Sequence, residues 1–117
     1  MGLAQESHSA LELRFSSLPA DVAEEIIEIV NRIGKVKRVS RETGLIEGKI
    51  TEGVSFVTSP ELKIQISRMG DETVASIVIR CRESVAINYR RAEKAMRILT
   101  DAIHASTKLT ASGSTGW

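Results

Sequence analysis

Hydrophobic and polar residues alternate with two different periods along the chain, and each period predicts one kind of element. Leu11, Leu13 and Phe15 alternate with polar residues, which is typical of a strand with one buried face. From residue 19 to residue 33 the apolar positions follow the helical period and fill about half of a helical wheel. Because proline suits a first helical turn, this helix is predicted to begin at Pro19 and to end at a left-handed Gly34.

After this helix the pattern returns to that of strands. Four further strands are predicted, over 35–40, 45–51, 62–67 and 73–82. The turns between them contain Gly44, Pro60 and Gly70, which are common turn residues. A last segment, 88–105, shows the helical period again, with its apolar residues on one arc and its charged residues on the other.

The predicted element order is therefore β-α-β-β-β-β-α. Each helix has an apolar stripe that needs a surface, and the inward row of each strand offers one. We predict one α+β domain over 11–105, in which two helices cover one face of an antiparallel five-stranded sheet. The polar segment 1–10 and the tail 106–117, which is rich in Ser, Thr and Gly, are predicted to be flexible.

This element order resembles two small architectures, the TATA-binding-protein-like fold and the helix-grip fold of the Bet v 1 and polyketide-cyclase group. The glycine-containing hairpin over 42–48, ahead of a late basic helix, is also similar to uncharacterised bacterial families. The first resemblance implies nucleic-acid binding on the uncovered face of the sheet. The second implies an apolar ligand held between the sheet and the last helix.

Composition and charge narrow the classes of function. The 117 residues include 42% hydrophobic and 26% charged residues, as in an ordinary globular chain. A net charge of +1, from 16 basic and 15 acidic residues, argues against non-specific capture of nucleic acid or membrane. The single Cys81 excludes an internal disulfide, and no apolar run approaches about 18 residues, the length needed to span a bilayer. We therefore expect a cytoplasmic protein that does not enter a membrane.

Residues with catalytic potential are not grouped in the sequence. His8 belongs to the polar N-terminal segment, His104 to the exposed face of the last helix, and Cys81 to the apolar row of its strand. Acidic residues of the first helix are assigned to its solvated half; they are Asp21, Glu24, Glu25 and Glu28. Because a nucleophile needs a neighbouring base and a metal needs several ligands, we expect no catalytic residue, no metal site and no cofactor.

Basic residues suggest nucleic-acid binding as one alternative function. Arg90, Lys94 and Arg97 form a stripe on the last helix, and Lys37 and Arg38 lie next to the first hairpin. Two acidic residues interrupt the helical stripe, and the uncovered sheet face has no aromatic wedge of the kind that unstacks bases.

The uncovered face of the sheet suggests self-association. Val74, Ser76 and Val78 are predicted to form a modest apolar strip there, and face-to-face or edge-to-edge pairing of two copies is a simple route to a homodimer. We therefore predict a non-catalytic binding or interaction module that dimerises through its sheet. The alternatives are a nucleic-acid-binding protein and a helix-grip carrier of an apolar small molecule. In such a carrier, Tyr89 and Ser76 are the nearest polar groups to orient the ligand.

Overall fold

The computed structural model describes residues 5–53, 59–83, 90–106 and 109. Its elements are β1 (Gln5–Phe15), α1 (Pro19–Ile33), β2 (Gly34–Ser40), β3 (Leu45–Ile50), β4 (Glu61–Met69), β5 (Glu72–Glu83) and α2 (Arg91–Ala105). This order and the antiparallel five-stranded sheet confirm the predicted α+β class. None of the helices in the described part of the chain is long and apolar enough to cross a bilayer.

The strands are arranged in the order β1-β5-β4-β3-β2, and every neighbouring pair is antiparallel. Strands β2 to β5 form a meander, while α1 carries the chain from one edge of the sheet, at β1, to the other edge, at β2. The register places Leu13 opposite Ala75 and Ile64 opposite Ile77, so one row of apolar side chains runs across the sheet. This row forms the inner face, which the helices cover.

The hydrophobic core lies between this inner face and the two helices. Helix α2 packs on β1 and β5, and α1 packs mainly on β2, β3 and β4. The core includes side chains that have no exposed surface, among them Phe15, Ile26, Ile29, Ile50, Ile64, Ile79 and Leu99. The outer face carries mostly charged and polar residues, among them Glu12, Arg14, Lys63 and Arg80.

Gly34 departs from the predicted conformation. Its φ of −173° is extended rather than left-handed, and Gly34 is the first residue of β2. A Cβ at this position would overlap the carbonyl oxygen of Lys49 on β3. The glycine is therefore explained by the close approach of two backbones at the helix-to-strand junction.

The predicted start of the first strand, at Leu11, is wrong, because β1 begins at Gln5. Residues 5–10 have no apolar alternation, yet they pair with β5 without a break in register. Within this stretch Ser7 lies on the inner face of the sheet, where it is only 6% exposed and is hydrogen-bonded to Glu83. The start of the last helix, predicted at 88, is at Arg91, and residues 88 and 89 lie outside the described part of the chain.

Candidate functional site

The space between sheet and helices, where the helix-grip resemblance implies a ligand, is occupied by aliphatic side chains. Ile64, Ile79 and Leu99 have an exposed fraction of 0%. They come from β4 and β5 of the sheet and from α2, so the sheet and the helix meet through aliphatic side chains at this point. A candidate binding site must therefore lie beside this core rather than inside it.

An open groove of about 480 Å³ lies between the first half of α1, the β2–β3 hairpin and the end of β4. We call it the α1–hairpin groove. Ligand sites in proteins typically have volumes of roughly 300–1,000 Å³. Its apolar lining comprises Pro19, Ala20, Ala23, Val39, Leu45, Ile46 and Ile66. Its polar lining comprises Ser40, Arg41, Glu42, Thr43, Ser67 and Arg68, and Gly44 completes it.

The groove exists because α1 has small side chains on the side that faces the hairpin. Ile26 and Ile29 of α1 are fully buried in the core, whereas Ala20 is exposed and Ala23 is half-buried. The side-chain methyl groups of these two alanines do not fill the space between α1 and the β2–β3 hairpin. Val39, on the opposite wall, consequently remains 36% exposed.

The hairpin wall of the groove is held by hydrogen bonds to β4. Gly44 has a φ of +76°, as a tight turn requires, and its N–H donates to the Ser40 carbonyl at 2.9 Å. The Ile66 N–H donates to the Gly44 carbonyl at 2.8 Å, and the Gln65 side-chain amide donates to the Thr43 carbonyl. This wall is therefore fixed before any ligand arrives.

Charged side chains surround the groove. Arg41, in the hairpin turn, forms an ion pair with Glu24 of α1 and so links the two walls. Arg68 donates its Nε–H to the Gly70 carbonyl at 3.1 Å, which holds the guanidinium near the end of β4. With Glu42 as the third charged residue, the lining has one carboxylate and two guanidinium groups, of which that of Arg41 is ion-paired with Glu24.

A buried polar network holds the N-terminus of α2. The Glu83 side chain is fully buried, and its Oε2 accepts hydrogen bonds from Ser7 Oγ at 2.7 Å and from the Arg91 N–H at 3.0 Å. The Ala92 N–H donates to Ser7 Oγ at 3.0 Å, and Arg91 Nη1 lies 3.6 Å from Glu83 Oε1. We call these residues the α2 cap. They satisfy helix N–H groups for which Arg90, at the N-cap position, supplies no side-chain cap.

Sequence reasoning missed the α2 cap. The predicted start at Asn88 is itself a favoured N-cap residue, so no local signal indicated that the first N–H groups of α2 are satisfied from elsewhere. The identity of the partners could not be read, because Ser7 and Glu83 are 76 residues apart in the chain.

A second, more acidic cleft lies near the ends of both helices. It has a volume of about 440 Å³, and its lining includes Glu25, Glu28, Arg32, Glu52 and Ser106. Among the described residues no cluster of three or more His, Cys, Asp or Glu side chains has an arrangement suited to a metal ion.

The assignment of Glu25 to the solvated half of α1 is wrong, because this residue is only 8% exposed. Its Oε2 accepts a hydrogen bond from Ser106 Oγ, just beyond the end of α2. The carboxylate therefore joins the two helices, a role that depends on where α2 packs.

The structure separates the basic residues considered for nucleic-acid binding. Arg90, Lys94 and Arg97 belong to the start and the exposed side of α2, which packs on β1 and β5, and Arg90 is 3.7 Å from Glu93. Lys37 and Arg38 are exposed on β2, at the other end of the sheet. These two groups do not form one continuous surface, and nucleic-acid binding stays a prediction.

The residues predicted for a dimer face lie on the outer row of β5. Ser76 and Val78 are half-buried there. Val74 is only 2% exposed, between Arg14 on β1 and Ser67 on β4. Val74 therefore contributes little apolar surface to a partner, and dimerisation through this strip stays a prediction.

The groups considered for catalysis are not brought together among the described residues. His8 is exposed on β1, and His104 is exposed near the end of α2. Cys81 is buried, as its place in the apolar row predicts. Tyr89, considered for ligand orientation, lies outside the described residues.

Three solved structures are similar to this chain in fold. Ara h 8.0201 matches with a TM-score of 0.64 and 8% identity, over 85% of this chain and 95% of that chain. The major latex-like protein 151 of Panax ginseng matches with a TM-score of 0.57 and 11% identity, over 86% of this chain and 96% of that one. A Thalictrum norcoclaurine synthase mutant, solved in complex with a transition-state analogue, matches with a TM-score of 0.57 and 10% identity, over 89% and 98%.

No protein-family model and no curated protein sequence matches this chain. The similarity to solved structures is therefore one of fold alone. It supports the helix-grip resemblance that the element order indicated, and it leaves the TATA-binding-protein-like alternative as a prediction. The chain has the α+β architecture of Bet v 1-like helix-grip proteins.

Proposed function

We propose that this protein is a non-catalytic binding module that holds a small molecule in the α1–hairpin groove. The ligand class has an apolar body and an anionic head group. The observation that carries the proposal is a groove of about 480 Å³ with apolar side chains on both walls, a fixed hairpin wall and two arginines in its lining.

The apolar body of the ligand would lie between the two walls of the groove. Ala20 and Ala23 present aliphatic surface on the α1 wall, and Val39, which is 36% exposed, presents it on the hairpin wall. Each CH₂ group that leaves water contributes about 0.8 kcal/mol to binding. A chain of several carbons would therefore supply most of the favourable free energy.

The head group would lie near Arg68, since Arg41 is already ion-paired with Glu24. A guanidinium offers several N–H donors in one plane, which matches the two oxygens of a carboxylate. Arg68 is anchored through its Nε–H, so it is already positioned near the groove. Glu42 would disfavour a second negative charge, which is why we propose a monoanionic head group.

The similarity in fold to helix-grip proteins supports the proposal of a bound ligand. The proposed site, however, lies beside α1 and not between the sheet and the last helix, where the resemblance implies it. The norcoclaurine synthase mutant with this fold was solved with a bound transition-state analogue. In the present chain the space between the sheet and α2 is filled by Ile64, Ile79 and Leu99, whereas the groove beside α1 is open.

We expect decanoate, used as a probe, to shift the amide signals of the groove residues in a ¹⁵N–¹H correlation spectrum. Ala23→Leu should weaken decanoate binding about tenfold, because its added carbons displace roughly two CH₂ groups of the probe. Arg68→Gln should weaken the binding of decanoate more than that of decanol, which has no charge.

Ala102→Leu is the matched control, since Ala102 is also a half-buried helix alanine but lines the acidic cleft. It should leave decanoate binding unchanged. The proposal is wrong if decanoate shifts no groove signals at millimolar concentration, or if both leucine variants weaken binding equally.

A further inference from the structure

We propose that β1 is a dimerisation edge, at which two copies of this chain pair their β1 strands antiparallel, with Ala10 opposite Ala10. Strand β1 lies at one end of the sheet, and β5 is its only strand neighbour in the described part of the chain. An edge strand offers backbone N–H and C=O groups for pairing with a further strand. A second copy of β1 supplies such a strand and closes the assembly by two-fold symmetry.

The two edges of the sheet differ in how open they are to pairing. Strand β2 has a register shift between Val36 and Arg38 and carries Lys35 and Lys37, and bulges and lysines discourage edge pairing. Strand β1 pairs with β5 over all of Gln5–Phe15 without a shift, and it contains neither proline nor lysine. The β1 edge is therefore the regular one.

Charge determines which register two β1 strands adopt. A two-fold axis keeps each face of the sheet continuous, so outer-row residues of one copy lie opposite outer-row residues of the other. The exposed outer row of β1 is Glu6, His8, Ala10, Glu12 and Arg14. With Ala10 opposite Ala10, Glu6 lies opposite Arg14 of the second copy and would join the ion pairs that this arginine already makes with Glu12 and Glu72 of its own chain. His8 then lies opposite Glu12 of the second copy, so that an imidazole N–H faces a carboxylate, and each of these favourable pairs occurs twice.

The neighbouring symmetric registers are less favourable. A shift of two residues in one direction places Glu6 opposite Glu12 of the second copy. A shift in the other direction removes the Glu6–Arg14 pairs and places His8 opposite Arg14 of the second copy. Because like charges directly opposite each other destabilise strand pairing and opposite charges stabilise it, the register centred on Ala10 is the preferred one.

An exposed leucine on the inner row is also partly shielded in this register. Leu11 lies opposite Ile77 on the covered side of the sheet, yet it remains 40% exposed at the edge. In the proposed dimer, Leu11 lies opposite Ser9 of the second copy and diagonally next to its Leu11. Diagonal neighbours of this kind are about 7–8 Å apart, within reach of leucine side chains. The two leucines would therefore shield each other from water.

Light scattering of the full chain should give a mass twice the monomer's 12.8 kDa. Glu6→Arg and Arg14→Glu should each raise the dimer dissociation constant about tenfold or more, because two attractive pairs become repulsive. An equimolar mixture of the two variants should restore association, since each new side chain then faces an opposite charge.

Lys63→Glu, on the outer row of β4, is the control and should leave the dissociation constant unchanged. Circular dichroism checks that each variant is folded.

Amide hydrogen exchange of the unmodified chain provides a second measurement. In a β1–β1 dimer the amides of both edges of β1 are protected, whereas in a monomer the alternate amides that face away from β5 exchange rapidly. A monomer at about 1 mM would overturn the proposal. A dimer that both charge reversals leave intact would also overturn it, and would place the interface elsewhere, for example on the outer row near Val78.

Discussion

Glu83→Ala is expected to lower the free energy of unfolding by about 3–5 kcal/mol, the usual cost of removing one partner of a buried ion pair. The Glu83 side chain is fully buried and Arg91 is 14% exposed, so the substitution leaves the arginine without its buried carboxylate. It also removes the nearer of two acceptors for the Ser7 hydroxyl and the acceptor for the Arg91 N–H. Urea unfolding followed by circular dichroism measures the loss.

Glu93→Ala is the matched control for this substitution. Glu93 is also a carboxylate at the start of α2, but its side chain is 52% exposed. Its loss should cost less than about 1 kcal/mol, because an exposed pair and the helix dipole contribute little. If Glu83→Ala prevents folding, Ser7→Ala tests the same network. It should lower the free energy of unfolding by about 1–3 kcal/mol, since it leaves the Ala92 N–H without its acceptor. Equal losses for the two glutamate variants would contradict a structural role for the α2 cap.

Ile26→Ala is expected to lower the free energy of unfolding by about 2–5 kcal/mol. Ile26 lies at the middle of the apolar side of α1 and has no exposed surface. Truncation removes its transfer free energy and leaves a cavity between the helix and the sheet. The midpoint and slope of a urea transition, measured by circular dichroism, give the loss.

Glu24→Ala, on the opposite side of α1, is the comparison for Ile26→Ala. The Glu24 side chain is 57% exposed, and its ion pair with Arg41 is also exposed. We expect a change within about 0.5 kcal/mol, because exposed ion pairs contribute little to stability. A loss at Glu24 as large as that at Ile26 would mean that the orientation of α1 is wrong.

The α2 cap and the α1–hairpin groove show how the helix-grip architecture is adapted in this chain. The cap fixes α2 on β1 and β5, where Leu99 and other aliphatic side chains fill the interior. On the other side of the inner face, the alanines of α1 leave space next to the hairpin. The proposed ligand site and the proposed dimer edge consequently lie at opposite ends of the sheet, at the β2 and β1 sides.

The sequence alone determined the element order and the inward-facing residues. The helical period of α1 and the alternation in β4 and β5 arise within each element, because one side of each must avoid water. Turn positions such as Gly44 were also readable, since a positive φ favours glycine. These signals depend only on residues that are near one another in the chain.

Only the tertiary structure decided the roles of Gly34, Glu25, Ser7 and Glu83. Gly34 is required by the carbonyl of Lys49 on another strand, and Glu25 is buried by contact with the end of α2. Ser7 and Glu83 meet because β1 pairs with β5, although the chain separates them by 76 residues. The groove likewise depends on the distance between α1 and a hairpin that follows it. Periodicity describes which face of an element is apolar, whereas contacts between distant elements depend on how those faces pack.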